Sequence, residues 1–313
     1  MKIHKAKKSL GQNFLKSVPA LNKIIEAGEI KNTDIILEIG PGKGALTEKL
    51  LEKGGMVIAI EKDRELFEFL KIKFEKEIKD KKLILLNEDI LEYNPLPASP
   101  LSGGGKNYKI IANIPYNITG AIFKKFLTEI NQPELMVLMV QYEVAKRIMG
   151  ENPTMLKLRG AKESILSISV KAYGEPKMIM KVPARYFSPA PKVDSAVIAV
   201  RNISRKIFTN SPLEEYPLGG GGNASTPSLR ATPQEGNTVD EEKFWQIVKA
   251  GFAHKRKVLI SNLKDLCGRQ DLPHLREIFK ELKISEKTRA EDLELLDWIN
   301  LTSSLSSCIN LTK

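Results

Sequence analysis

Four side chains in this sequence sit where chemistry could use them: Glu38, Glu61, Asp89 and Asn113. Glu38 opens the stretch "EIGPGKGALT", in which Gly40, Gly42 and Gly44 follow an apolar run and lead into a helical pattern. Glycines placed this way let a backbone approach a ligand with no Cβ in between. Glu61 closes the apolar run "MVIAIE", at the spacing where a carboxylate accepts hydrogen bonds from ribose hydroxyls. Asp89 closes "KLILLNED" and could accept from an adenine amino group. Either acid taken singly reads as well as a helix N-cap or a solvated strand end. Three such sites at the ends of successive apolar runs favour a nucleoside ligand.

Glu38 narrows the choice of ligand. A carboxylate inside an apolar run is costly unless it has a partner. A pyrophosphate at the glycines would be repelled by it, whereas a ligand carrying a cationic amino acid would be stabilised. S-adenosylmethionine meets that condition and NAD does not.

Asn113 begins "NIPY", which ends a fourth apolar run. Pro115 fixes its own φ and restricts Ile114, so the Ile114 carbonyl can be held pointing outward. Asn113 adds a side-chain carbonyl and Tyr116 a flat ring. Two acceptors and a ring suit an exocyclic base amine, whose lone pair is delocalised and poorly nucleophilic. Accepting both amino hydrogens favours the positive charge that grows on nitrogen as it is alkylated. Alone, the run also reads as a strand terminus with a capping Asn. Its place after the glycines, Glu61 and Asp89 favours the chemical reading.

Strand and helix patterns alternate along the first two-thirds of the chain. Residues 34–40, 56–61, 82–89, 108–114 and 134–141 are short, branched and apolar, as in strands buried on both faces of a parallel sheet. Helical stretches such as "ALTEKLLEKG" and "RELFEFLKIKFEKEI" separate them. "SISVKAYGEPKMIMKVP" and "KVDSAVIAVRN" read as closing strands with no long helix between, an antiparallel edge. The fold expected is α/β, a doubly wound sheet with an antiparallel edge, followed by a small domain of helical pattern. Residues 1–203 form the first domain. Residues 204–239, rich in Gly, Ser, Pro and Thr over most of their length, read as a disordered linker, and 240–313 as the helical domain. A second Gly/Pro/Ser stretch occupies 94–107.

Lys and Arg number 49 against 38 Asp and Glu, a net charge of +11 over 313 residues, which favours a polyanionic partner. Two cysteines, Cys267 and Cys308, and three scattered histidines exclude a zinc ribbon or a disulfide framework, and no metal is expected. The basic start lacks an apolar core and no run is long enough to cross a bilayer, so the expectation is a cytoplasmic protein.

The stretches "KKSLGQNFL" (7–15), "EIGPGKGALT" (38–47), "NIPYNI" (113–118), "FSPAPKVDSAV" (187–197) and "FAHKRKVLISNL" (252–263) together resemble the ribosomal RNA adenine dimethylase family, in its small-subunit type. The likeness spans the chain outside the two low-complexity stretches. It implies a Rossmann-like class I S-adenosylmethionine-dependent methyltransferase sheet with a small α-helical C-terminal domain. It also implies dimethylation of two adjacent adenosines near the 3′ end of small-subunit rRNA, with S-adenosylmethionine as donor, by a protein expected to be a monomer. It places Asn13, Leu15, Gly40, Glu61, Asp89 and Asn113 at the cofactor, with Glu38, Gly42 and Ile90 beside them. Ile114, Pro115 and Tyr116 meet the target amine, and Phe187 supplies a second ring over the extruded base, although by itself Phe187 reads as a strand-end core residue. Lys255, Arg256 and Lys257, on a basic helix, and Lys8 near the start would contact RNA. The family's basic motif opens with Gln-Arg-Arg where this chain has His254, Lys255 and Arg256. Two alternatives stay open: a resistance-type methylase of large-subunit rRNA, which shares Asn-Ile-Pro-Tyr but lacks the basic stretch, and a non-catalytic RNA-binding assembly factor.

Overall fold

The structure, a computed structural model, describes residues 6–7, 10–94, 108–150, 162–208, 238–267 and 272–306. Lys8 and nearly all of the two low-complexity stretches lie outside these residues. The described chain divides into two compact units, one within residues 1–161 and 166–204, the other within 162–165 and 205–313.

The first unit is built on strands β1 (Phe14–Leu15), β2 (Ile35–Ile39), β3 (Met56–Ile60), β4 (Leu83–Leu86), β5 (Tyr108–Asn113), β6 (Leu135–Gln141), β7 (Glu175–Val182), β8 (Phe187–Ser188) and β9 (Ser195–Arg201). Seven of them form one sheet in the order β4-β3-β2-β5-β6-β9-β7, while β1 and β8 pair separately. The first five strands in that order are parallel, and β9 and β7 are antiparallel. Parallel neighbours need crossovers. Helices α1 (Val18–Ala27), α2 (Ala45–Lys53), α3 (Arg64–Lys73), α4 (Glu75–Lys79), α5 (Thr119–Thr128), α6 (Tyr142–Met149) and α7 (Ile165–Lys171) lie among these strands in chain order. All five residues of β2 are buried, as are the first six of β6. Each fully buried Ile or Leu contributes about 1.5–3 kcal/mol, so near-continuous apolar runs could not be left at a surface. The chain leaves β2 toward β3 on one side and has β5 on the other. This reversal of strand order opens a crevice at the carboxyl ends of β2 and β5, the usual ligand site of such sheets.

Two local readings are corrected. "ILSISVK" is α7, not the start of a strand, and the closing strand begins only at Glu175. Its alternation of Ser with Ile and Val mimics a strand period, but Ser167, Ile168 and Val170 are buried on a helix. The helical run 64–78 is also broken at Phe74, which ends α3 and starts α4.

The second unit contains α8 (Glu241–Gly251), α9 (Leu259–Cys267), α10 (Leu272–Glu281) and α11 (Leu295–Leu305). Asp240 caps α8, accepting from the Lys243 N–H at 2.9 Å. Phe244, Ile247 and Val248 form the buried face, and Trp298 of α11 is fully buried and stacks on Phe252. Gly251 lies against Trp298, so close that a Cβ there would come within 2.4 Å of the indole.

Candidate cofactor and target-amine site

A cavity of about 540 Å³ opens at the crevice. Its walls come from the segment 10–16, from the turn after β2, from Glu61 and Lys62, from 88–91 and from 113–118. Gly40, Gly42 and Gly44 all have positive φ, but for different reasons. At Gly44 an added Cβ would strike Phe74 at 2.6 Å, so that glycine serves packing. At Gly40 the nearest atom would be Pro115 at 3.8 Å, which leaves the backbone open on the cavity side.

Glu38 is 1 % exposed and lines the cavity. Its Oε2 has no hydrogen-bond partner among the described residues. Burial pushes its pKa from 4.5 up to about 8; the nearby Thr47 hydroxyl and the Lys73 charge oppose the rise, and the Glu61 charge adds to it. The Thr47 hydroxyl nevertheless has no hydrogen-bond partner among the described residues. A buried carboxylate oxygen lacking a donor, on a cavity wall, fits a ligand that brings an ammonium group.

Glu61 is buried and accepts from two backbone amides, Gly42 at 3.0 Å and Asp63 at 2.8 Å. It therefore ties the glycine turn to the end of β3 on the cavity wall. Asp89 lies three residues beyond the end of β4 rather than closing it. It pairs with Lys62 at 2.5 Å and accepts from the Leu91 N–H at 3.0 Å, and these bonds hold its carboxyl below the usual range. Lys62 is 60 % exposed, so that pair is weak and displaceable.

Asn113 ends β5, and its Nδ2 donates to the Asn13 carbonyl at 3.3 Å. Because that carbonyl can only accept, the amide is oriented with Oδ1 turned the other way. Pro115, at φ −59° and ψ 133°, interrupts the backbone before a short 3₁₀ turn at Tyr116–Ile118. No described residue donates to the Ile114 carbonyl. The Tyr116 hydroxyl bonds to Ser195 at the start of β9, 2.6 Å away, and burial raises its pKa, keeping the phenol neutral. Two acceptors that no described residue engages and an anchored ring thus meet on the cavity wall beside Gly40.

A profile of the family described as "Ribosomal RNA adenine dimethylase" matches residues 3–217. The chain belongs to the ribosomal RNA adenine dimethylase family. It is 36% identical over 297 residues to a ribosomal RNA small subunit methyltransferase A of Dehalococcoides mccartyi, covering 95% of this chain and 87% of that one. A protein of the same name from Rippkaea orientalis is 34% identical, covering 96% and 98%. The fold matches the crystal structure of a dimethyladenosine transferase from Plasmodium falciparum with a TM-score of 0.69 at 23% identity, covering 94% of this chain and 98% of that one. It matches the 23S rRNA methyltransferase ErmE with a TM-score of 0.63 at 22% identity, covering 94% and 100%. The sheet is thus that of a class I S-adenosylmethionine-dependent methyltransferase.

In this dimethylase the cavity wall brings together Asn13, Leu15, Glu38, Gly40, Gly42, Glu61, Asp89, Ile90, Asn113, Ile114, Pro115 and Tyr116. Phe187 is not on that wall: it is 3 % exposed, opposite Leu15 in the β1–β8 pair, and belongs to the hydrophobic core. Lys255, Arg256 and Lys257 are exposed in the second unit, but on no helix. They occupy a turn between α8 and α9, closed by a bond from the Lys257 N–H to the His254 carbonyl at 3.0 Å. Asn262 of α9 pins this turn by donating to the Gly251 and His254 carbonyls at 2.5 and 3.3 Å. Ser195 escaped the sequence reading because its link to Tyr116 spans 79 positions. Gln12, Lys43 and Lys62 also line the cavity without a sequence signal of their own. Among the described residues no group of three or more His, Cys, Asp or Glu is placed to hold a metal, and no helix is long and apolar enough to cross a membrane.

Proposed function

We propose that this dimethylase methylates N6 of two adjacent adenosines near the 3′ end of small-subunit rRNA, acting in the cytoplasm on the small subunit. The observation that carries the chemistry is the pair of unengaged acceptors, Asn113 Oδ1 and the Ile114 carbonyl, beside a cavity with an unpartnered carboxylate.

Glu38 would hold the amino-acid ammonium of S-adenosylmethionine, Glu61 the ribose and Asp89 with Ile90 the adenine. Bound there, the cofactor supplies an electrophilic methyl group. Asn113 and Ile114 accept the two amino hydrogens of the target base and stabilise the charge that develops on its nitrogen. Tyr116 stacks on the base and is kept in place by Ser195. Positioning supplies much of the remaining rate. Phe187 could form the opposite ring only if it left the core.

Small-subunit RNA is favoured over large-subunit RNA by the relatives' names and by the exposed turn His254–Lys257. Its three cations suit phosphate contacts that position without reading sequence. Expression in a cell lacking small-subunit dimethyladenosine tests the reading. Dimethyladenosine restored at two adjacent sites is the expected result; its appearance in large-subunit RNA alone would favour the resistance-type activity.

A further inference from the structure

Asp63 lies outside the cavity wall, yet it joins two parts of it. Its side chain is fully shielded from solvent and receives Lys7 Nζ on Oδ1 at 2.8 Å and Gln12 Nε2 on Oδ2 at 2.7 Å. The Glu65 N–H also donates to Oδ1, at 3.0 Å, so the carboxylate caps α3 as well. Lys7 in turn donates from its backbone to Gln12 Oε1 at 2.8 Å and reaches Glu65 at 3.3 Å. Burial raises the Asp63 pKa, but the bonds from Lys7, Gln12 and Glu65 outweigh it and leave the carboxyl below its usual value. The Asp63 N–H donates to Glu61, whose other oxygen holds Gly42. One residue after Gln12, the Asn13 carbonyl receives Asn113.

We propose that Asp63 is a positioning residue that latches the segment Leu10–Asn13 onto the cofactor cavity and thereby aims Asn113. An N-cap alone needs one acceptor oxygen, and Ser or Asn would serve. Here both oxygens are taken up by side chains from the segment before β1, and charge-assisted bonds of this kind are the strong ones. Loss of the latch would free a cavity wall and the Asn13 carbonyl together. The inference rests on the reading of the cavity as a cofactor site only for its effect on affinity; the latch itself can be observed without ligand.

The test is hydrogen exchange on the full, ligand-free chain, comparing wild type with Asp63→Asn, Asp63→Ala and Lys7→Met. Asp63→Asn keeps the size and a capping oxygen, but turns a donor toward Lys7 or Gln12. Amides of residues 10–13 should then exchange about tenfold faster or more, with β2 and β5 unchanged. Lys7→Met should loosen the same amides without touching α3, and adding it to Asp63→Asn should add little. It also keeps the idea open to refutation should the Asp63 variants fail to fold. With cofactor, the same variants should raise KM for S-adenosylmethionine more than they lower kcat. Exchange unchanged in Asp63→Asn and Lys7→Met, with loosening confined to Asp63→Ala, would reduce Asp63 to a helix cap and overturn the proposal. Wild type that shows the latch by exchange but does not bind S-adenosylmethionine would overturn the cofactor reading instead.

Discussion

Glu38 is held in a place where its charge is expensive until a ligand arrives. A carboxyl whose folded pKa is about 8 instead of 4.5 binds a proton more tightly folded than unfolded. Stability of the ligand-free protein should therefore fall as pH rises from about 4.5 to about 8, and level off above. Glu38→Gln should flatten that fall, as thermal melts across the range would show. A ligand ammonium should reverse the preference and expel the proton. Calorimetry of S-adenosylmethionine binding at pH 7, in buffers of different ionisation enthalpy, should detect proton release that disappears in Glu38→Gln. Asn113→Ala should lower turnover by about 10²–10³ while leaving the melting temperature close to wild type; single-turnover kinetics would measure it. Glu38 could be read in the sequence because a charge amid Ile, Leu and Ile is conspicuous. Ser195 and Asp63 could not, because their significance lies in partners 79 and 56 positions away.

At the scale of elements, the strands were legible and the short connections were not. Buried parallel strands are continuous apolar runs, so β2, β3, β5 and β6 fall within a residue or two of their expected limits. "SISVKAY" misled because a two-residue alternation inside a seven-residue helix is indistinguishable from a strand face. The basic stretch misled in another way: its cations were assigned to a helix that begins only at Leu259. A turn pinned by Asn262 can present Lys255, Arg256 and Lys257 together, as a helix face cannot for three consecutive residues. Replacing all three by Ala should reduce the slope of log affinity against log salt by up to about 2–3. Filter binding at several salt concentrations would show this, and an unchanged slope would move the RNA surface elsewhere. Gly251→Ala should cost about 1–3 kcal/mol, since its Cβ would overlap Trp298. Denaturant melts of the full chain would measure it.

At the scale of the molecule, two properties decide what the chain can do. The reversal of strand order between β2 and β5 gathers Glu38, Gly40, Glu61 and Asn113 at one cavity, although the first and last lie 75 positions apart in sequence. That gathering was foreseeable from the order of apolar runs, because parallel sheets of this kind place their sites at strand ends. The position of Phe187 was not, since only three-dimensional packing could place it in the core. The net charge of +11 then favours a polyanionic substrate, to which phosphate contacts would contribute affinity without choosing the base. Small-subunit dimethylation is tested by incubating purified protein and methyl-labelled S-adenosylmethionine with small subunits lacking the modification and, separately, with large-subunit RNA. Digestion should recover N6,N6-dimethyladenosine, four labelled methyls per small subunit, none of it with Asn113→Ala on the same timescale. Label found only in large-subunit RNA, or only in nucleosides other than adenosine, would rule out small-subunit adenosine as the substrate of this enzyme.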